Sequence, residues 1–424
     1  MSGMSKPANP LRKVAESLRA IRARHEERHR PTGFGFAFAD RIDYLARESW
    51  DGLTRPASLF LRRDLLRALE QHGPENVVPR YAMIFRGEKP VAALATQIVT
   101  VTGSQLRHEA GKRPANLLRL ALAPAAKVAS ANFRERILVA GNLLSWGFHG
   151  IAFTADEDPA ALWPGVAEAL YRIRRGERLA GQTDFVLVKD LTGQQTGLEA
   201  LRRFSYRPLE TEPNMVLSID PNWRSYDDYL AALDAKYRRN AKDQSKKFTG
   251  AGCTIERVTD LAPHARRLHE LYRAVQGNAA VRLVTLTESC LPAMARALGE
   301  DFRCTAVRRG DDILGFVTCL RDGPTAIAYY IGFDRAAAAD GLPIYLRLLH
   351  CTIHDAIEWR CQRLSLGRTA LEPKAALGAK PEPMSVWLRH RLPALNWLLR
   401  GMLGAVPHNE APERNPFKVV AGKH

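Results

Sequence analysis

One order of predicted secondary structure occurs twice in this chain and constrains the fold more than any other feature. In the first half, two apolar strands flank a turn at residues 86–88. They are followed by a predicted strand (RILVAGNLLSWGFHGIAFT), a helix (DPAALWPGVAEALYRIRRG) and a strand (TDFVLVKDL). In the second half, a hairpin turns at residues 309–312. It is followed in the same order by a predicted strand (TAIAYYIGF), a helix (LPIYLRLLHCTIHDAIEWR) and a strand (RLSLG). Short apolar strands alternating with helices predict an α/β (α+β) fold with two tandem units, mixed central sheets and flanking helices.

The repeat divides the chain into four segments. We predict a basic helical segment over residues 1–35, a first unit over 36–220, a second over 221–380, and an amphipathic helix with a tail over 381–424. The boundary between the units falls at the helix- and strand-breaking run Asp-Pro-Asn that begins at Asp220. From Met384 onward, leucines share one side of a helical projection, bordered by tryptophans and arginines. This pattern fits an in-plane interfacial helix or a terminal helix docked on the protein's own core.

The charge of the chain is strongly positive. Among 424 residues, 62 Lys and Arg face 45 Asp and Glu, a net charge of +17. Such a surplus favours polyanionic partners such as nucleic acid, anionic lipid headgroups or phosphorylated cofactors, without choosing among them. The N-terminal stretch lacks the apolar core of a secretory signal, and the longest uncharged stretch is too short to span a bilayer. We therefore expect a cytoplasmic protein, with peripheral attachment to the inner face of the cytoplasmic membrane as an extension.

Familiar catalytic signatures are missing from the sequence. The six cysteines contain no CxxC pair, which favours reduced thiols over a zinc site or a disulfide framework. The sequence has no GxxxxGK[ST] loop, no GxGxxG after a strand and no GxSxG elbow. These absences argue against ATPase, dinucleotide oxidoreductase, serine hydrolase and metalloenzyme activities, and we expect no metal.

A basic helix is predicted at DAKYRRNAKDQSKKF, residues 234–248. Tyr237, Ala241 and Phe248 form its apolar stripe, and Arg238, Arg239 and Lys242 are among the surrounding cations. These cations either bind a phosphate or form a solvated face. RNA binding is disfavoured because no aromatic residues interleave the cations for base stacking.

The helix after AADGLPIY carries further candidates. Gly341 and the following proline mark a helix N-terminus, whose free N–H groups and dipole attract phosphate. His350 and His354 share one face of that helix. Without an HExxH frame or a third ligand, packing or hydrogen bonding accounts for this pair better than metal binding does.

The segment LGRTALEPKAALG places Arg368, Glu372 and Lys374 in an otherwise small and apolar run. Such a run is typical of a buried site that binds an anion and moves a proton. Arg368 holds a phosphate or pairs with Glu372, and a purely structural pair of these two residues is the alternative.

Three stretches resemble the GNAT superfamily, and more closely its BioF2-like and FemAB-like branches. They are YRRNAKDQSKKF, the block from YYIGFD to ALGA that contains the Arg368–Lys374 run, and SWDGLTRPASLFLRRDLLRALEQHG; together they span most of residues 40 to 380. The resemblance implies an acyl transfer from a thioester, usually on coenzyme A, to an amine, or an aminoacyl transfer from tRNA in Fem-type members. For the aminolysis that this resemblance implies, Lys374 matches the lysine that donates to the oxyanion in that branch. Glu372 accepts the proton of the attacking amine if desolvation raises its pKa.

The resemblance also extends the set of candidate residues. Candidate carrier contacts are Arg238, Arg239, Lys242, Gly341 and Tyr330, and candidate substrate contacts are His350, Tyr345 and Trp146. One departure is that the superfamily's Gln/Arg-x-x-Gly-x-Gly/Ala pyrophosphate loop is replaced by FDRAAAADGLP. The mode of CoA binding is therefore open, and an acyl carrier protein is an alternative donor.

Three functions remain open at this point. The first is an N-acyltransferase that uses acyl-CoA on a lipid-like, sphingoid-type amine at a membrane surface, similar to a bacterial ceramide synthase. The second is a Fem-type transferase that uses aminoacyl-tRNA and a peptidoglycan precursor. Against it, the second unit of this chain lacks the long helical hairpin that commonly accompanies that branch. The third is a binding protein that has kept the fold without the chemistry.

Overall fold

The computed structural model describes residues 19–20, 22–23, 26, 30–102, 134–276, 283–392, 395–396 and 412–418. Most of the predicted N-terminal helix, residues 1–35, lies outside these ranges, as does most of the segment 393–411. All six cysteines are described and are free thiols. Within the described ranges, no helix combines the length and apolar character needed to cross a bilayer.

Within its described residues, the first unit contains seven strands and four helices. The strands are β1 (Gly35–Ala39), β2 (Val77–Arg86), β3 (Lys89–Thr102), β4 (Arg134–Ala140), β5 (Ile151–Phe153), β6 (Phe185–Leu191) and β7 (Arg207–Ser218). The helices are α1 (Arg47–Thr54), α2 (Arg63–His72), α3 (Pro159–Gly176) and α4 (Glu199–Arg203), with 3₁₀ turns at Ile42–Tyr44, Leu59–Leu61 and Glu177–Leu179. The β2–β3 hairpin turns where predicted, with Gly87 at φ +63°.

The second unit repeats this order. Its strands are β8 (Cys253–Val258), β9 (Phe302–Arg309), β10 (Asp312–Asp322), β11 (Thr325–Phe333), β12 (Arg363–Ser365) and β13 (Lys380–His390). Its helices are α5 (Tyr226–Ala232), α6 (Ala235–Gly250), α7 (Ala265–Gln276), α8 (Cys290–Leu298), α9 (Arg335–Ala339), α10 (Ile344–Glu358) and α11 (Leu371–Ala375), with 3₁₀ turns at Ala262–His264 and Gly299–Asp301. The order of hairpin, strand, helix and strand is therefore present in both halves, and the predicted α/β class is confirmed.

The two units share one continuous mixed sheet. Twelve strands follow the order β1-β2-β3-β4-β6-β13-β7-β12-β11-β10-β9-β8, and β5 pairs with β3 beside this path. The last strand of the first unit, β7, pairs with β12 of the second, and the last strand of the second, β13, pairs with β6 of the first. The units thus exchange their final strands, and the sheet crosses the predicted boundary at residue 220 without interruption.

The C-terminal amphipathic helix predicted from Met384 does not begin there. Residues 380–390 are β13, which pairs with β6 on one side and β7 on the other. Ladder hydrogen bonds on both sides satisfy its backbone, and Trp387 and Leu388 are buried at 4% and 1% exposure. This tertiary pairing overrides the local helical pattern, so the predicted start of the helix is wrong.

Helices cover the sheet and tie the units into a shared core. Leu59, Phe60 and Leu65 of the first unit pack in one cluster with Phe316 and Tyr329 of the second. Beside this contact, Asp322 accepts hydrogen bonds from the backbone N–H of Leu59 at 2.7 Å and from the Ser58 hydroxyl at 2.9 Å.

The strand β12 ends at Ser365, whereas its partner β11 continues to Phe333, and this difference positions the candidate site. They pair in parallel only where residues 325–327 meet 363–365, so the rest of β11 has no described strand on that side. A bulge in β11 lies opposite Thr318, whose hydroxyl accepts from the Tyr330 N–H at 2.9 Å and donates to the Tyr330 carbonyl at 3.2 Å. We call the space beside the unpaired part of β11 the wedge.

Candidate functional site

A cavity of about 610 Å³ lies between α6, α10 and α11. Its wall is mostly apolar or aromatic and includes Tyr229, Leu233, Tyr237, Ala241, Ala338, Leu342, Pro343, Tyr345, Leu346, Pro373, Ala376 and Leu377. The polar residues of the lining are Lys236, Asn240, Gln244, His350, Glu372 and Arg414. A cavity of this size with few polar groups is typical of a small-molecule binding site.

The start of α10 forms one end of this cavity. Gly341 lies just before it with φ +84°, a left-handed conformation that glycine adopts without strain. A methyl group at Gly341 would lie 3.0 Å from the Lys247 Nζ, so this ammonium sits beside the helix start, where no side chain caps α10. The helix dipole and the lysine together favour an anionic group here.

The predicted cations of α6 lie elsewhere than on this cavity. Arg238 donates to the Leu233 carbonyl at 2.8 Å, while Arg239 and Lys242 are exposed, and none of the three belongs to the lining. Lys236 lines the cavity instead, because Lys236, Asn240 and Gln244 recur at helical spacing on the cavity face.

His350 and Tyr345 line the cavity from α10. Burial, with a contribution from Arg347, lowers the pKa of His350 to about 3, so the imidazole is neutral at physiological pH. The Tyr226 oxygen lies 2.8 Å from His350 Nδ1, and Arg347 hydrogen-bonds the same oxygen. The phenol proton therefore goes to His350, which acts as a hydrogen-bonding residue and not as a charged one.

Two faces of the short helix α11 carry Glu372 and Lys374. Glu372 lines the cavity, its side chain is 53% exposed, and it forms an ion pair with Arg414 and not with Arg368. The desolvation that we expected for Glu372 as a general base is therefore not found. Lys374 lies on the opposite face of the helix, is 3% exposed and is not part of the cavity lining.

Burial changes the chemistry of Lys374. Desolvation lowers its pKa to about 7, since no described residue provides a hydrogen bond or a counter-charge for its Nζ. Near neutral pH the amine therefore exists in both protonation states. A group of this kind can donate a hydrogen bond to a developing oxyanion or transfer a proton.

Arg368 belongs to a buried charge cluster that joins the units. Its Nη1 lies 3.1 Å from the Oδ1 atom of Asp190, which also pairs with Lys189 and accepts the Gly147 N–H at 3.1 Å. Burial alone would raise the pKa of Asp190, but the two cations lower it. The carboxylate is therefore ionised and holds Arg368 in place beside the wedge.

Trp146 and Tyr330 meet at the wedge and not at the cavity. The Trp146 indole donates to the Ser365 hydroxyl at 2.8 Å and packs on Tyr329, with ring centroids 6.0 Å apart. The Tyr330 hydroxyl donates a hydrogen bond to the Leu144 carbonyl at 3.5 Å. The loop after β4 therefore covers the wedge of the second unit.

The structure thus separates the predicted residues into two groups. Gly341, Tyr345, His350 and Glu372 lie at or beside the cavity, whereas Arg368, Trp146 and Tyr330 lie at the wedge, and α11 connects the two places.

Several residues of these two places were not predicted from the sequence: Lys189, Asp190, Tyr226 and Arg414. The only local signal was the charged pair Lys189-Asp190 inside an apolar strand, which marks a buried ion pair.

Comparison with known proteins gives a family for the second unit. Residues 235–375 match the model of the acetyltransferase (GNAT) domain. This range contains the basic helix α6, the wedge, α10 and α11. No curated protein matches the sequence.

Three solved structures align with most of this chain. The crystal structure of FemX has a TM-score of 0.52 at 11% identity and covers 86% of this chain and 99% of its own. A tandem GNAT protein from the clavulanic acid biosynthesis pathway has a TM-score of 0.49 at 11% identity, over 85% of this chain and 99% of its own. A GCN5-related N-acetyltransferase from Sphaerobacter thermophilus has a TM-score of 0.41 at 11% identity and covers 85% of this chain and 96% of its own. At this identity, FemX supports the fold alone.

Proposed function

We propose that this chain, whose second unit matches the acetyltransferase (GNAT) domain, transfers an acyl group from an acyl-CoA thioester to a lipid-like, sphingoid-type amine and produces an amide. The observation that carries this proposal is the apolar, aromatic cavity of about 610 Å³ that opens beside the anion-favouring start of α10. Such a cavity suits a ligand with an apolar chain and a phosphorylated end.

The proposed reaction is aminolysis of the thioester. The amine nitrogen attacks the carbonyl carbon, the C–N bond forms, the C–S bond breaks, and the amine proton leaves as the carrier thiol is released. In this proposal the carrier lies on the cavity side of α11 and the reacting carbonyl on the side of Lys374. Lys374 donates to the oxyanion, and Arg368, fixed by Asp190, supports this position.

A lipid-like acceptor implies that the enzyme works at a membrane surface. A net charge of +17 favours an anionic membrane surface, and we propose a cytoplasmic enzyme that works at that surface. Acyl carrier protein is a second donor that the same thioester chemistry accepts.

The test is a mass-spectrometric assay of the purified full chain with acyl-CoAs of increasing chain length and sphinganine-type amines in detergent. We expect new amide with long chains, and its loss in Lys374→Ala. Ala376→Leu places a larger side chain on the wall and narrows the cavity. The activity of this variant should therefore fall with long acyl chains and persist with short ones. An exposed variant outside both places, Arg266→Gln, serves as the control.

Release of free CoA without amide would show that the acceptor is wrong. No turnover at any chain length would overturn the CoA donor. A Lys374→Ala variant with wild-type function would favour the non-catalytic binding protein.

A Fem-type transfer from aminoacyl-tRNA to a peptidoglycan precursor is the second candidate. The observation that favours it is the exposed cationic face of α6, where Arg239, Lys242 and Lys246 point away from the cavity. It predicts RNA that co-purifies at low salt and is removed by high salt, together with turnover of aminoacyl-tRNA. Amide formation with acyl-CoA and no salt-sensitive RNA would exclude it.

A further inference from the structure

A C-terminal segment closes one side of the cavity. Residues 412–418, called the strap, lie against the α5–α6 junction: the Asp234 N–H donates to the Pro416 carbonyl at 2.8 Å, and the Lys418 N–H donates to the Ala232 carbonyl at 3.0 Å. Leu233 and Phe417 form an isolated bridge between these hydrogen bonds. The strap is therefore held by its backbone on a fixed part of the second unit.

An aromatic anchor adds to this attachment. The ring of Phe417 packs on Trp223 and Tyr229, with centroids 5.7 Å and 6.1 Å apart. It also lies against Gly378, which has φ +94° and no room for a side chain toward Phe417. Glycine at this position lets the ring approach the backbone closely, so the anchor has a shaped seat.

The anchored strap places Arg414 at the cavity. Arg414 belongs to the lining, pairs with Glu372 of α11 and hydrogen-bonds Tyr237 of α6. Arg414 therefore bridges α6 and α11, which form the two sides of the cavity opening; we call this opening the mouth. Both members of the ion pair are about half exposed, and an exposed pair of this kind is weak and can exchange partners.

We propose that Arg414 is a specificity-determining residue, which the strap supplies to the mouth to recognise the phosphate-bearing end of the acyl carrier. An arginine fork binds phosphate through two parallel N–H···O bonds, so phosphate competes with the Glu372 carboxylate for the same guanidinium. Lys236, also on the lining, adds a second positive charge at the mouth. The mouth thus exchanges an internal anion for the anion of the ligand. This inference rests on the proposed function, because it takes a phosphorylated thioester carrier as the ligand.

The test measures equilibrium binding without turnover, so it is separate from the acyl-transfer assay. Isothermal calorimetry compares CoA with pantetheine, which has the same thiol arm and no phosphate, on the full chain and its variants. We expect Arg414→Gln to weaken CoA binding about tenfold and to leave pantetheine binding unchanged. Glu372→Gln, which removes the competing carboxylate, should tighten CoA binding. Arg266→Gln, in an exposed ion pair with Glu270 far from the strap in the chain, is the matched control.

The anchor provides an independent check. Phe417→Ala releases the strap, so it should weaken CoA binding as Arg414→Gln does, and the double variant should lose no more than either single one. This non-additivity is expected only if the anchor acts through Arg414.

Three results would overturn the proposal: equal weakening of CoA and pantetheine, no change for either ligand, or no CoA binding by the wild type. The first would make Arg414 a part of the cavity wall. Absence of acyl transfer in the presence of Arg414-dependent CoA binding would instead refute the proposed function and leave the carrier recognition standing.

Discussion

The two units share an order of elements and differ in how their central strand ends. In the first unit, β4 pairs with β6 over residues 137–140 and ends where that pairing ends, at Ala140. In the second, β11 pairs with β12 over residues 325–327 and then continues without a partner strand to Phe333. The central strand of the first unit therefore ends with this pairing, whereas that of the second continues along the wedge.

The helices after these strands show the same difference. On α3 of the first unit, Trp163 is fully buried and packs on Phe148 and Phe153. On α10 of the second unit, the corresponding region presents Tyr345 and His350 to a cavity. The first unit is therefore filled by packed side chains at this position, and we call it the scaffold; its loop after β4 covers the wedge. The second unit borders a cavity there, and we call it the open unit.

The largest effect is expected at Lys374, on the open side of this comparison. Lys374→Met removes the donor proposed for the oxyanion, so acyl transfer should fall about 10²–10³-fold in the mass-spectrometric assay. Stability should rise, because lowering the lysine pKa from 10.5 to about 7 costs up to about 5 kcal/mol at pH 7 and below.

The pH dependence of this gain has a definite sign. Between pH 7 and 10.5 the unfolded chain binds the proton that the folded chain has lost, so wild-type stability rises with pH in this window. Urea unfolding at several pH values should show the advantage of Lys374→Met shrinking toward pH 10. A constant advantage would contradict the lowered pKa.

Asp190→Asn should break the link between the two units. It leaves Lys189 and Arg368 buried without their counter-charge, and we expect the free energy of unfolding to fall by about 3–5 kcal/mol. Urea unfolding measures the change. Asp156→Asn, whose partner Lys89 is exposed, is the control and should have no measurable effect. Wild-type stability of Asp190→Asn would show that the cluster does not hold the units together.

How much of this fold the sequence predicts depends on how local each signal is. The hairpins were predictable because tight turns need residues such as Gly87 and Gly310, which have φ +63° and +60° between apolar strands. β13 was not, because its partners β6 and β7 lie far away in the sequence and its own residues follow a helical pattern. The exchange of final strands has no signature in either strand alone.

The same limit applies to the site. The segment around Lys374 could be selected because a base in a small, apolar run indicates burial, and the structure buries it. Asp190 could not be paired with Arg368, which lies 178 residues further on. Glu372 pairs with Arg414, 42 residues downstream, so this ion pair was not visible locally.

Two tryptophans provide a matched test of the scaffold and the open unit. Trp146 donates to Ser365 at the wedge, and Trp163 donates to the Thr196 carbonyl within the first unit, both at 2.8 Å. Each Trp→Phe variant loses one such bond, and we expect a similar loss of about 0.5–1.5 kcal/mol in urea unfolding. Only Trp146→Phe should change the kcat or KM of acyl transfer. Equal kinetic effects of the two variants would remove the distinction between the units.

The smallest effect is expected at the pair Tyr226–His350. Tyr226→Phe removes the donor to His350 Nδ1, and the loss should not exceed about 1 kcal/mol because the neutral imidazole keeps its second nitrogen for other contacts. Burial lowers the pKa of His350 to about 3, so the folded chain binds fewer protons than the unfolded chain between pH 3 and 6.5. Stability should therefore decrease as pH falls through this window, and less so in His350→Asn. A rate profile with a pKa near 6.5 that disappears in His350→Asn would show that the imidazole titrates in the working enzyme, and that α10 of the open unit offers a proton acceptor where α3 of the scaffold offers only packing.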